Sequence, residues 1–189
     1  MQKNVTYFKR PGPENTGQCL DIAKDAIDTF SYKHIVIAST RGDTGKLFAE
    51  HLSERKVNVT VVTHSHGFKS PNSSELGQEA RERILSSGAK IYTGTILTHS
   101  LETSLAAKFS GTYPTLLIAQ TLRRFGEGVK VCCEMVMMAA DAGFIPEGEE
   151  VMAVAGTGYG ADTVAIIKSA TSKRFLDLKV LEILAKPRV

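Results

Sequence analysis

The chain contains no tryptophan and only three cysteines in 189 residues. Cys19, Cys132 and Cys133 make no C-x-x-C pair and no disulfide framework, and two are neighbours in a helical pattern, which suits a reducing compartment. There is also no apolar run long enough to cross a bilayer, because the most apolar segment, residues 131–145, carries Glu134 and Asp141. The opening residues MQKNVTYFKRPGPENT lack the apolar stretch of a signal peptide, so a soluble, cytoplasmic protein is expected. Neither charge dominates: 23 basic residues stand against 20 acidic ones and are spread along the chain. Nothing therefore favours a nucleic-acid or membrane partner, and a small-molecule ligand fits better. Solenoid repeats, low-complexity tracts and composition shifts are lacking too, which predicts one domain over residues 1–189.

What is present centres on residues 34–46, HIVIASTRGDTGK. The segment 35–39 is small, apolar and β-branched, as in a strand covered on both faces of a parallel sheet. Ser39, Thr40, Arg41, Gly42, Asp43, Thr44 and Gly45 follow as a turn able to aim hydroxyls, backbone N–H groups and a guanidinium at one point. A helix opening near Thr44 adds the positive end of its dipole, so the junction reads as an anion site for a phosphate. It is not a Walker loop, since two residues rather than four separate its glycines and Leu47 follows Lys46. The plainer alternative is that Gly42 and Gly45 permit a tight turn and Thr44 caps a helix.

In chain order, an extended lead-in over residues 1–14 precedes a helix marked by Leu20, Ala23, Ile27 and Phe30. The strand at 34–39, a helix at 44–54 and a strand at 57–62 make a parallel β-α-β unit. Asn72 and Glu75 have capping-box spacing for the next helix, and a strand is expected at 89–92. Residues 93–130 form a largely helical insertion, with Pro114 opening one helix. A further helix is expected at 131–142 and a strand at 150–155. GTGYGADT then leads into an apolar helix over 163–170, with Asp162 as its N-cap, and a last strand at 179–185. The glycines Gly156, Gly158 and Gly160 only weakly match a dinucleotide fingerprint: in the register of Gly158 and Gly160 its third glycine position is Thr163, and no acidic residue follows on a next strand at the right distance.

The alternation predicts an α/β protein with an open, mostly parallel three-layer sheet of about five strands and helices on both faces. A flavodoxin-like sheet with every strand parallel is the alternative. If the strands at 34–39, 57–62 and 89–92 wind one way and the strand at 150–155 lies on the other side of the first, the switch point falls between STRGDTG and GTGYGADT. The candidate binding residues are Ser39, Thr40, Arg41, Gly42, Thr44, Gly45, Thr63, His64, Thr95, Gly156, Thr157 and Gly158.

The run IVIASTRGDTG followed by a helix and VNVTVVT, together with PEGEEVMAVAG, resembles the C-terminal domain of pyruvate kinase. The resemblance is close over residues 20–63 and 146–156. It implies that domain's fold, in which a strand ending in hydroxyl and glycine residues holds an allosteric sugar phosphate. The barrel that carries pyruvate kinase chemistry is not in these residues, so pyruvate phosphorylation is not implied. The chain is closer in outline to a stand-alone archaeal and bacterial family of this fold associated with flavin mononucleotide (FMN). That resemblance implies FMN as cofactor, its phosphate on residues 39–45, and a flavin-dependent oxidoreductase if the protein is an enzyme. A non-catalytic module binding a sugar phosphate is the alternative, and no catalytic set is identified.

His64, His66 and His99 follow strand ends, but H-x-H in a polar loop is usually solvated, and no metal site is expected. Cys132, Cys133 and Met135, Met137 and Met138 read as core, with the methionines alternatively at a subunit interface. A homo-oligomer is expected from the apolar content of residues 114–145. Glu134, alone in an apolar helix, is either a structural hydrogen-bonding group or a site residue, with the structural reading favoured.

Overall fold

Strand β2 (His34–Ala38) has three fully buried residues in a row, and they serve two cores. Ile35 and Ile37 enter one, and Val36 enters the other. The same division recurs in β3 (Asn58–Thr63), where Val59 and Val61 oppose Val62, and in β5 (Glu150–Ala155), where Met152 and Val154 oppose Val151, Ala153 and Ala155. Side chains that alternate across a strand while both faces are apolar require cover above and below. That cover comes from α1 (Thr16–Phe30), α2 (Asp43–Leu52) and α3 (Gln78–Ser86) on the first core, and from α6 (Glu127–Asp141) on the second. The computed structural model describes residues 4–188.

The sheet order is β1-β7-β6-β5-β2-β3-β4, with β1 (Thr6–Phe8), β4 (Lys90–Thr93), β6 (Thr163–Lys168) and β7 (Lys179–Pro187) completing it. Strand β6 is antiparallel to β5 and β7, and every other pairing is parallel. From β2 the chain moves outward through α2, β3, α3 and β4, then returns through α4 (Leu101–Phe109), α5 (Pro114–Leu122) and α6 to place β5 on the other side of β2. The strand order thus reverses between β2 and β5, as the sequence predicts.

Seven strands are present among the described residues rather than about five, because two segments behave differently from expectation. The lead-in contributes β1, which pairs with β7 from Thr6 opposite Ala185 to Phe8 opposite Pro187; residues 1–3 of the lead-in lie outside the described residues. The expected helix at 163–170 is strand β6, which excludes the all-parallel alternative. Val164 and Ile166 face one core while Ala165 and Ile167 face the other, so the run is apolar on both sides because both sides are covered. Helix α6 starts four residues earlier than predicted and passes through Gly128, where a Cβ would overlap the Thr163 hydroxyl. Helix α3 opens at Gln78 rather than after Asn72: Asn72 has a left-handed φ of 56°, and Glu75 turns its carboxylate away from the helix.

Candidate functional site at the carboxyl edge of the sheet

A cleft of about 670 Å³ opens at the carboxyl edge of the parallel strands, over the switch point. Ser39, Thr40, Arg41 and Thr44 reach it from the β2–α2 turn, Thr63 and His64 from the end of β3, and Gly156 and Gly158 from the β5–β6 hairpin. Eight of the twelve residues singled out in the sequence therefore line one cavity. The other four, Gly42, Gly45, Thr95 and Thr157, lie outside its lining.

The two turn glycines are there for packing. Gly42 precedes α2 with φ 101°, and a Cβ on it would sit 2.5 Å from the Ala80 Cβ on α3. A Cβ on Gly45 would fall 2.6 Å from Val61 Cγ1, so this glycine lets α2 lie directly against β3. The Gly45 N–H also donates to Ser39 Oγ at 2.9 Å, which satisfies one of the free donors of the first helical turn. Thr157 donates its N–H to Asp162 Oδ2 at 3.1 Å, and Thr95 is exposed.

Asp162 is fully buried and does not cap a helix. Its carboxylate also accepts from the Gly12 N–H at 3.1 Å and the Thr163 hydroxyl at 2.9 Å, tying the lead-in to the β5–β6 hairpin. Thr16 Oγ1 accepts from the Ala161 N–H at 2.9 Å in the same seam, and Pro13 and Thr16 thereby become cleft wall.

At the β3 end, His64 Nδ1 donates to Glu75 Oε2 at 2.7 Å, and His64 Nε2 lies 3.3 Å from Thr40 Oγ1. The Thr63 hydroxyl donates to the Thr40 carbonyl at 3.0 Å and fixes that turn, while the Phe68 ring packs 4.3 Å from His64. Arg41 donates to the Tyr159 hydroxyl at 2.7 Å across the mouth.

The α6 side holds a buried polar group that sequence reasoning left out of the site. Lys130 Nζ donates to Glu134 Oε2 at 2.5 Å, and Glu134 Oε1 accepts from both the N–H and the hydroxyl of Thr98, each at 2.7 Å. Burial alone would raise the Glu134 pKa, but the Lys130 charge and these hydrogen bonds outweigh it and hold the carboxyl below its ordinary value. The signal in the sequence was Lys130 itself: placed four residues before Glu134 in an apolar helix, it supplies the partner that a buried carboxylate needs. The rest of this wall is apolar, with Val131, Met135 and Met138.

All three cysteines are buried. Desolvation pushes Cys19 and Cys133 up to about 12 and Cys132 well above the ordinary thiol range, so they act as core side chains. Of the three candidate histidines, His64 and His99 share the cleft and His66 does not line it. No helix among the described residues is long and apolar enough to cross a membrane.

An open α/β sheet with a polar turn and a cleft at its switch point defines the class of protein. The pyruvate kinase alpha/beta domain family matches residues 18–167, and the chain belongs to that family. Among solved structures, a pyruvate kinase from Cryptosporidium parvum is similar at 15% identity and a TM-score of 0.41, over 85% of this chain and 24% of its own. The Cryptosporidium parvum pyruvate kinase in complex with ADP is similar at 15% identity and a TM-score of 0.40, over 86% and 25%. An O-ureido-L-serine synthase is similar at 16% identity and a TM-score of 0.33, over 75% and 51%. The chain spans about a quarter of the length of these pyruvate kinases.

Proposed function

We propose that the cleft binds a phosphorylated small molecule, with FMN as the occupant and its phosphate on the β2–α2 turn. The observation that carries this reading is the meeting, in one cavity, of an anion-ready turn and an apolar wall. Thr40 and Arg41 lie in the turn that leads into α2 and Thr44 in its first turn, while Val131, Met135, Met138 and Phe68 offer a surface for a flat ring. The volume of about 670 Å³ lies within the range of cofactor pockets, roughly 300–1,000 Å³, which supports the reading. Bound there, FMN would supply two-electron redox chemistry, and turnover would make the protein a flavin-dependent oxidoreductase.

Titration with FMN and riboflavin tests the reading. Riboflavin lacks the phosphate and its charge-assisted hydrogen bonds, each worth about 1.5–3 kcal/mol, so it should bind at least tenfold more weakly. Thr44→Glu should abolish FMN binding and leave the circular dichroism unchanged. Protein that ignores FMN but binds a sugar phosphate supports the non-catalytic regulatory module instead; protein that binds neither overturns the phosphate site.

We also propose self-association and a cytoplasmic location. The first is supported by a second, apolar hollow of about 420 Å³ beside β7, where Tyr7, Phe125 and Leu181 are exposed. Light scattering that returns a monomer at high concentration removes it. The second is supported by three unpaired, buried thiols.

A further inference from the structure

Lys130 and Glu134 are 2% and 5% exposed, and a pair of apolar side chains in their place would typically be as stable or more so. Their presence in the cleft wall calls for a chemical reason, and the hydrogen bonds around them supply one. Glu134 is ionised and can only accept, so the Thr98 hydroxyl gives its proton to Glu134 Oε1. The Thr98 oxygen is then an acceptor for its other partner, His99 Nδ1, at 3.0 Å. This places the imidazole proton on Nδ1 and leaves Nε2 with a free lone pair. Burial, and after it the Lys130 charge, lowers the His99 pKa against the smaller opposing pull of Glu134, which keeps the ring neutral at neutral pH. Lys130 carries three N–H donors, and among the described residues Glu134 takes one of them. The cleft wall therefore offers an acceptor on a solvent-exposed ring, His99 Nε2, and a buried donor, Lys130 Nζ, linked to each other through Thr98 and Glu134.

We infer that His99 and Lys130 form a recognition subsite for the end of the ligand remote from its phosphate, and that this end carries an N–H donor beside a carbonyl acceptor, as in an imide or cyclic ureide. The inference rests on the phosphate reading of the β2–α2 turn; α2 and α6 cover opposite faces of the sheet and line the same cleft. It also bears on the choice of ligand. The ring of FMN ends in an imide, whereas a sugar phosphate presents hydroxyls and has no N–H adjacent to a carbonyl.

Because the ligand can be altered instead of the protein, the test does not depend on a variant that folds. Wild-type protein is titrated at pH 7.5 with FMN, with 3-methyl-FMN, whose imide N–H is replaced by N–CH3, and with riboflavin. FMN should bind at least tenfold more tightly than 3-methyl-FMN. His99→Leu should reduce that gap to within twofold, and His99→Gln, whose amide oxygen can accept, should restore part of it. The preference for FMN over riboflavin should be the same in both variants, since it reads the phosphate. Equal wild-type affinity for FMN and 3-methyl-FMN overturns the subsite while the phosphate reading stands. A gap that persists in His99→Leu overturns the assignment to His99. Wild-type protein that binds no flavin overturns the FMN reading and takes this inference with it.

Discussion

Glu75 accepts a 2.7 Å hydrogen bond from Nδ1 of His64, and so fixes which ring nitrogen His64 turns toward Thr40 in the cleft. Glu75 reaches this position because the segment before α3 is not helical and its side chain folds back over the end of β3. The pair is partly exposed, so its direct worth to stability is small, about 1 kcal/mol or less. Its value lies in holding the His64 ring, and through Nε2 the Thr40 side chain, in one orientation at the mouth of the turn. Glu75→Ala should weaken FMN binding about three- to tenfold while the urea midpoint hardly moves. The opposite pattern, unchanged affinity with a large loss of stability, would make the pair a fold-stabilising contact only.

Gly45→Ala tests the packing role of the turn. The added methyl would meet Val61 Cγ1 at 2.6 Å and the Ser39 Cβ at 3.1 Å, with Val61 fully buried in the sheet and unable to withdraw. Overpacking of this kind typically costs about 1–3 kcal/mol. Urea denaturation should show a loss of that size, and a neutral outcome would mean that α2 can lift from β3 without penalty.

The buried Glu134 should make stability depend on acid pH. Its folded pKa is depressed by Lys130 and Thr98, so the native state binds its proton less readily than the unfolded chain does. The contribution is therefore complete above the unfolded carboxylate value, near pH 4.3, and is lost as pH falls through the lower folded value. Urea midpoints measured from pH 6 down to pH 3 should fall more steeply for wild type than for Glu134→Gln, which has no proton to take up there. Parallel curves would show that Glu134 does not contribute to this acid dependence.

The architecture and the switch point were legible because the informative segments are local. VNVTVV and EVMAVA are short apolar runs bounded by turn signals, the first of them rich in β-branched residues, and the hydroxyl-rich turn after β2 lies where an open sheet places its ligands. TVAIIKSA suggests a helix in the sequence because a strand buried on both faces has no polar period, and only its length between turn signals argues against a helix. Glu75 was assigned to a cap on spacing alone, three residues after Asn72, while its actual partner, His64, is set by tertiary geometry that spacing does not encode. The same holds for Asp162. Its position after a glycine loop suggested a cap, whereas it binds the N–H of Gly12, 150 residues earlier in the chain.

The pairing of Thr6 with Ala185 also orders events during biosynthesis. Strands β2 to β5 can assemble as soon as residue 155 has left the ribosome, because their partners are each other. Strand β1 must wait for β7, which ends at Pro187, and until then the emerging chain has no edge against which to dock it. The Pro13 and Thr16 wall of the cleft is held by the β5–β6 hairpin through Ala161 and Asp162, so a chain stalled before β7 already has that wall's partners and lacks only the strand that pairs with β1.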